Sequence, residues 1–203
     1  MTNTLVEERY AKIVDESNLG CANVSGFIVL LGGEKVLDLG CGNGSQVHRF
    51  ARLVGKEGMA CGLDTTEKMI ERAKANYFLP NTDYLVGDIH SLPYEPGFFD
   101  VITSNCVINH SLNKRRVFEE IYRVIKQGGF FVIGDVMAVN KLPDSVVNNP
   151  QNIADCWGGA IPKKDYLDIV SEVGFTSIEV LSSRKYIKNG YGLESIILKG
   201  VKK

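Results

Sequence analysis

The feature that most constrains this chain is a regular exchange of short apolar runs and amphipathic runs that begins at Lys35. "KVLDLG" is a short apolar run that stops at glycine, which predicts a strand. "SQVHRFARLVG" has helical spacing, with Val47, Phe50, Leu53 and Val54 expected on one side. "GMACGLD", "TDYLVGD", "FFDVITSN" and "FFVIGDV" read as further strands. "TTEKMIERAKAN" reads as a helix with Thr65 or Thr66 as N-cap. "NKRRVFEEIYRVIKQGG" reads as a helix closed by a double glycine. "KKDYLDIVSEVG" reads as a last helix, with "SIEVLSSR" and "ESIILKG" as closing strands. Ahead of this rhythm, "TLVEERYAKIVDES" predicts a short helix, "NLGCANVSG" a loop, and "FIVLLGG" a short apolar helix ending in glycines. Strands alternating with helices imply an α/β fold, a parallel sheet with helices on both faces. Right-handed crossovers then leave few topologies. Ligands of such sheets bind beyond the carboxyl ends of the strands. Those ends deliver Gly40, Asp64, Asp88 and Asn105.

Composition narrows the function classes. A chain of 203 residues is long enough for one domain with a real core. A net charge of −1 gives no electrostatic footprint for nucleic acid. The opening "MTNTLVEERY" is polar and charged, unlike a signal peptide, and the longest apolar run, "FIVLL", is far too short to cross a bilayer. A cytoplasmic protein with no membrane or nucleic-acid partner is expected. Its five cysteines, Cys21, Cys41, Cys61, Cys106 and Cys156, contain no CxxC and no Cys/His zinc spacing, which argues against a structural metal site. If several act together, the fold must assemble them.

"VLDLGCGNG" places glycines at 40, 42 and 44 after a strand and before a helix. The spacing is G-x-G-x-G rather than the dinucleotide G-x-G-x-x-G, and Asp38 stands inside the strand. An acid at the glycine turn suits a cationic ligand, such as the amino group and sulfonium of S-adenosylmethionine, better than a pyrophosphate. Asp64 ends the second strand about 20 residues further on, where an acid holds ribose hydroxyls. Asp88, in "VGDIHSLP", ends the third, where a carboxylate accepts from an adenine amino group beside the backbone of Ile89. Each acid taken alone also reads as a loop or cap residue; three in register after successive strands favour the ligand.

"VLDLGCGNG", "GLDTTEKMIERAK", "GDIHSLPYEPGFFDVI" and "RVIKQGGFFVIGDV" together resemble the class I S-adenosylmethionine-dependent methyltransferases, over nearly the whole chain. The resemblance implies a Rossmann-like, seven-stranded, mostly parallel sheet with the last strand antiparallel. It implies S-adenosylmethionine as cofactor, with contacts from Asp38, Gly40, Gly42, Asp64, Thr65, Asp88, Ile89 and Asn105. The methyltransferase core is expected over residues 35–203, preceded at 1–34 by a helical cap and the Cys21 loop. An N-P-P-Y motif, used for adenine and amide nitrogens, is absent; "SNCV" stands in its place.

Cys106 sits at the mouth of that fourth strand. Alone, it reads equally as a small buried hydrophobe. Yet "SNCVINHSLNKRRVFEEIYRVIKQGG", "DVMAVNKLPDSVVNN" and "DCWGGAI" resemble the arsenite methyltransferases. That resemblance makes Cys106, Cys156 and, in "NLGCANV", Cys21 the thiolates that would hold trivalent arsenic as substrate. Soft thiolates are natural ligands of a soft pyramidal metalloid, and three of them leave the arsenic lone pair free to attack a sulfonium methyl. Catalysis then rests on orientation and exclusion of water, with no general base needed. A cellular thiol reductant is implied as partner. The chain departs from the family in ending soon after the core, in having no cysteine early in the helix after the glycine loop, and in carrying His110 where leucine is usual.

Other residues carry two readings each. Cys41 and Cys61 read as packing residues rather than ligands. His110 is a general base for an oxygen or nitrogen acceptor or a loop residue over the pocket. His48 reads as a surface or packing residue and His90 as a shaper of the adenine pocket. Trp157 is an apolar lid or ordinary packing, and Lys202 and Lys203 form a solvated tail. Two rival functions remain at this level: a methyltransferase for a small organic molecule, and a non-catalytic binder of a soft metalloid.

Overall fold

In a computed structural model, which describes residues 4–12 and 23–203, each apolar run from Lys35 onward becomes a strand of one sheet. The elements are α1 (Thr4–Lys12), β1 (Lys35–Leu39), α2 (Ser45–Val54), β2 (Met59–Asp64), α3 (Glu67–Tyr77), β3 (Thr82–Val86) and β4 (Phe99–Asn105). There follow α4 (Lys114–Val124), β5 (Ile125–Ala138), α5 (Asp144–Val147), α6 (Pro150–Ala154), α7 (Lys163–Val173), β6 (Thr176–Lys188) and β7 (Tyr191–Val201). The seven strands run in the order β3-β2-β1-β4-β5-β7-β6. Neighbours from β3 to β5 are parallel, and β7 lies antiparallel between β5 and β6. The expected seven-stranded sheet with an antiparallel last strand is therefore present. Its order reverses between β1 and β4, which opens a crevice at their carboxyl ends.

Alternation along the strands divides the core. Leu37, Leu39, Ile102 and Ile133 pack with Phe118 and Ile121 of α4 and Tyr166 of α7. Val36, Val101 and Val132 face the other way, onto Val47, Phe50 and Val54 of α2 and Ile70 of α3. Both faces are covered, so the central strands read as apolar runs and not as half-polar ones.

Four expectations need correction. No helix spans Phe27–Gly33; a 3-10 turn covers Val24–Phe27, and Ile28 is already extended at φ −114°, ψ 121°. A run this short with β-branched Ile28 and Val29 cannot repay helix nucleation, and Gly32 and Gly33 turn away at positive φ. On α2, Leu53 is 52% exposed and Ala51 takes the inward place. α4 stops at Val124, because Ile125 pairs with Phe99 to begin β5. The glycine pair serves instead a bend within β5: the register against β4 shifts between Phe99 and Val101, and a Cβ on Gly129 would meet the Asp100 carbonyl at 2.8 Å. Lys202 is no solvated tail. Its Nζ donates to the carbonyls of Tyr122 at 2.7 Å and Ile125 at 2.9 Å, so it caps the end of α4 that the glycines leave open. No described helix is long and apolar enough to cross a membrane.

Candidate active site

The crevice is built by four strand ends. At the first, Asp38 faces the same way as Val36 and is 6% exposed. Thr103 of β4 donates its hydroxyl to Asp38 Oδ1 at 2.6 Å. Burial pushes Asp38 up to about 7, against that bond, and nearby Asp64 pushes the same way. The chain leaves β1 through Gly40 and Gly42 at φ 66° and 53°. A Cβ on Gly40 would strike Val107 at 2.2 Å, so this glycine permits close packing against the turn after β4. A Cβ on Gly42 would meet nothing within 4 Å, so the loop has open space on that side.

Asp64 ends β2 and straps this loop. Its Oδ2 accepts from the Gly42 amide and its Oδ1 from the Thr66 amide, both at 2.9 Å. Burial raises its pKa, and those amide bonds work against the shift. Thr66 is the N-cap of α3, with Thr65 in the bend before it. At the third strand end, Asp88 accepts from the His90 amide at 2.9 Å and lies 2.6 Å from His90 Nδ1. Burial pushes Asp88 up, but the bonds from His90 outweigh it and hold the carboxyl below its usual range. Ile89 beside it is buried.

His90 also reaches across to the turn after β4. Its Nε2 lies 2.7 Å from the hydroxyl of buried Ser111, just past the turn that follows β4. Asp88, His90 and Ser111 thus connect the third and fourth strand ends. Ser111 was not singled out from sequence, since the two loops are far apart in the chain.

The fourth strand ends in Ser104 and Asn105, then Cys106, whose amide donates to the Gly134 carbonyl at 2.8 Å. A 3-10 turn, Ile108–His110, follows. Cys106 has φ 59° and Cys156 φ 67°, a left-handed conformation that non-glycine residues seldom adopt and that clusters at functional positions. Cys106 is 1% exposed and Cys156 5%. The two come together: Cys156 Sγ lies 3.3 Å from the Cys106 carbonyl and 3.3 Å from His110 Nε2, two acceptors that share its one S–H. His110 Nδ1 lies 2.9 Å from the Ile153 carbonyl, an acceptor, so Nδ1 carries the hydrogen and Nε2 presents its lone pair toward the thiol. Burial lowers His110 to about 4, so the ring is neutral. Cys106 is one half of a disulfide, whereas Cys41, Cys61 and Cys156 are free thiols. Cys21 lies outside the described residues.

The remaining cysteines sit elsewhere. Cys41 packs beneath the glycine loop against Gly62, and Cys61 is buried inside β2 with its thiol pushed up to about 12 by burial. His48 rests on Tyr77, its ring 5.5 Å from the tyrosine ring. Trp157 is packing and no lid: it is 2% exposed in a cluster with Val136, Leu142 and Val146. Arg9 of α1, which sequence did not single out, reaches Asp155 Oδ1 at 2.6 Å and also the Ala154 carbonyl, next to Cys156. Among the described residues no three His, Cys, Asp or Glu side chains are grouped to hold a metal ion.

This geometry agrees with known proteins. Residues 30–174 match the family model described as a methyltransferase domain. The chain belongs to that family. It is 35% identical over 175 residues to an arsenite methyltransferase of Halobacterium salinarum, covering 84% of this chain and 45% of that protein. An arsenite methyltransferase of Mus musculus is 35% identical over 154 residues, covering 70% of this chain and 41% of the mouse protein. The chain therefore spans about half the length of the curated relatives it matches. A solved arsenic(III) S-adenosylmethionine methyltransferase from Chlamydomonas reinhardtii superimposes with a TM-score of 0.82 at 30% identity, covering 98% of this chain and 73% of that one. The fold is that of the class I S-adenosylmethionine-dependent methyltransferases.

Proposed function

We propose that this methyltransferase transfers the methyl group of S-adenosylmethionine to trivalent arsenic held by Cys106, Cys156 and Cys21. The observation that carries the reading is the pairing of Cys106 and Cys156: two cysteines from separate loops, both at positive φ, with one thiol on the other's carbonyl. Identity to arsenite methyltransferases adds support.

The cofactor side fits the chemistry of its donors. Asp38 is a buried carboxylate that needs a cation, and the space over Gly42 gives a ligand room to approach the backbone. When bound, S-adenosylmethionine supplies an electrophilic methyl and a positive charge. Asp38 would then hold the methionine amino group, Asp64 and Thr65 the ribose side, and Asp88 with Ile89 the adenine. Asn105 would line the passage between the cofactor and the sulfurs.

On the acceptor side, arsenous acid exchanges its hydroxides for thiolates. Each thiol loses its proton to a departing hydroxide as water, and each S–H and As–O bond is replaced by As–S. The thiolates cancel the charge of As(III) and leave its lone pair to face the methyl. Cys106 is oxidised in this structure, so a dithiol or cellular thiol must first reduce it. Residues 1–34 would cap the pocket, a role supported by Arg9 reaching the loop of Cys156.

The test is S-adenosylhomocysteine formation with arsenite and a thiol reductant, in wild type, Cys106→Ser and Cys156→Ser. Arsenite-dependent product that falls by at least about a hundredfold in both variants supports the reading. Wild-type product that appears only with an organic acceptor, or that survives both substitutions, overturns it.

A further inference from the structure

The turn after β4 carries a side chain that holds two neighbours at once. Asn109 is fully buried, at 0% exposure. Its Nδ2 donates to the carbonyl of Val136 in β5 at 2.5 Å and to the carbonyl of Cys156 at 3.2 Å. Its backbone amide bonds the carboxylate of Asp135, itself 1% exposed. Its carbonyl oxygen lies so near the "CWGGA" loop that a Cβ on Gly159 would approach it to 1.8 Å, which explains why glycine stands there. Asn109 Oδ1 has no partner among the described residues, so the donating end of the amide is the end in use.

Resting on the arsenic reading above, we infer that Asn109 is a positioning residue, which sets Cys156 against Cys106 so that both sulfurs reach one arsenic atom. Within the Cys156 loop the amides of Trp157 and Gly158 both donate to the Asn152 carbonyl at 3.3 and 2.7 Å, while His110 holds the Ile153 carbonyl and Arg9 holds Asp155. Those ties reach the loop on either side of Cys156, whereas Asn109 bonds the backbone carbonyl of Cys156 itself. A side chain that donates to a sheet carbonyl and to the cysteine's own carbonyl resists a shift of Cys156 relative to Cys106. Chelation depends on it, since the second thiolate binds at high effective concentration only when it is already in reach. An aspartate has the same shape but keeps at most one donor, when protonated, and sets a carboxylate against two carbonyls when ionised.

The experiment uses the reduced full chain and phenylarsine oxide, a probe that takes two thiols. Trp157, the sole tryptophan and the neighbour of Cys156, reports binding by fluorescence. In Asn109→Asp, affinity for the probe should fall by at least about tenfold. S-adenosylhomocysteine affinity, measured by calorimetry, should stay within about twofold of wild type, with the same number of titratable thiols. Asn109→Ser, a smaller disturbance that keeps one donor, should show an intermediate loss. Unchanged probe affinity in both variants overturns the inference. Parallel loss of probe and S-adenosylhomocysteine binding in both variants also overturns it, by making Asn109 merely structural. A wild type whose probe binding ignores Cys106→Ser and Cys156→Ser overturns the arsenic reading itself, a result distinct from the other two.

Discussion

A carboxylate buried at the end of β1 is a poor choice for stability. Burial raises Asp38 from 3.8 to about 7, so the folded protein holds this proton more tightly than the unfolded chain does. The stability that follows is complete below the ordinary carboxylate range and is lost as pH rises through about 7. For the ligand-free protein this amounts to on the order of 3 kcal/mol between pH 4 and pH 8. Asparagine at this position should remove that loss. Asp38→Asn is expected to melt higher than wild type at pH 8 while binding S-adenosylmethionine roughly tenfold to a hundredfold more weakly, for want of a charge-assisted bond. Thermal melts at pH 5 and pH 8, with calorimetric titration of cofactor, check both halves; an Asp38→Asn protein with normal affinity would contradict the assignment. Sequence alone singled out Asp38, because an acid beside a glycine turn is an odd residue. It did not reveal Thr103, whose bond to Asp38 comes from the adjacent strand, nor the left-handed backbone of Cys106 and Cys156, which no residue type announces.

At the scale of elements, α4 organises the loop beyond Asp88. Glu120 is 3% exposed and accepts from Arg116 at 3.0 Å, Arg123 at 2.7 Å and the Leu92 amide at 2.8 Å. Arg123 also donates to the carbonyls of Leu92 and Tyr94, so the helix grips the "SLPY" segment through one buried carboxylate. Removing the carboxylate leaves the Leu92 amide without its acceptor and returns two part-exposed guanidiniums to water. Glu120→Ala should cost about 2 kcal/mol in urea unfolding, chiefly through the Leu92 amide, whereas a change under about 1 kcal/mol would place the network at the exposed, weak end of ion pairs. Strand and helix identities were largely readable from period and breakers. The misreadings lie where tertiary pairing overrides local signals. Ile125 leaves α4 because β4 offers it a partner, and Phe27–Gly33 stays unwound because nothing in so short a run nucleates a helix.

Over the whole molecule, the sheet order β3-β2-β1-β4-β5-β7-β6 explains why residues so distant in sequence meet. The reversal between β1 and β4 brings Asp38, Asp64 and Asp88 to one side of the crevice and the Cys106 turn to the other. His90 and Ser111 connect the two sides, at 2.7 Å. Alternating elements made this architecture readable in advance. The placement of Cys156 beside Cys106 was readable only through the resemblance and not from period, because it depends on α5, α6 and the clasp of Arg9, within a stretch whose prolines and asparagines fix no period. The central claim, that the crevice presents sulfur to trivalent arsenic, is tested most directly by X-ray absorption at the arsenic edge on the reduced protein loaded with arsenite. Wild type should show an arsenic shell of sulfur alone, and Cys156→Ser should lose one of those sulfurs. A shell of oxygen in wild type, or an unchanged sulfur shell in Cys156→Ser, would contradict the account.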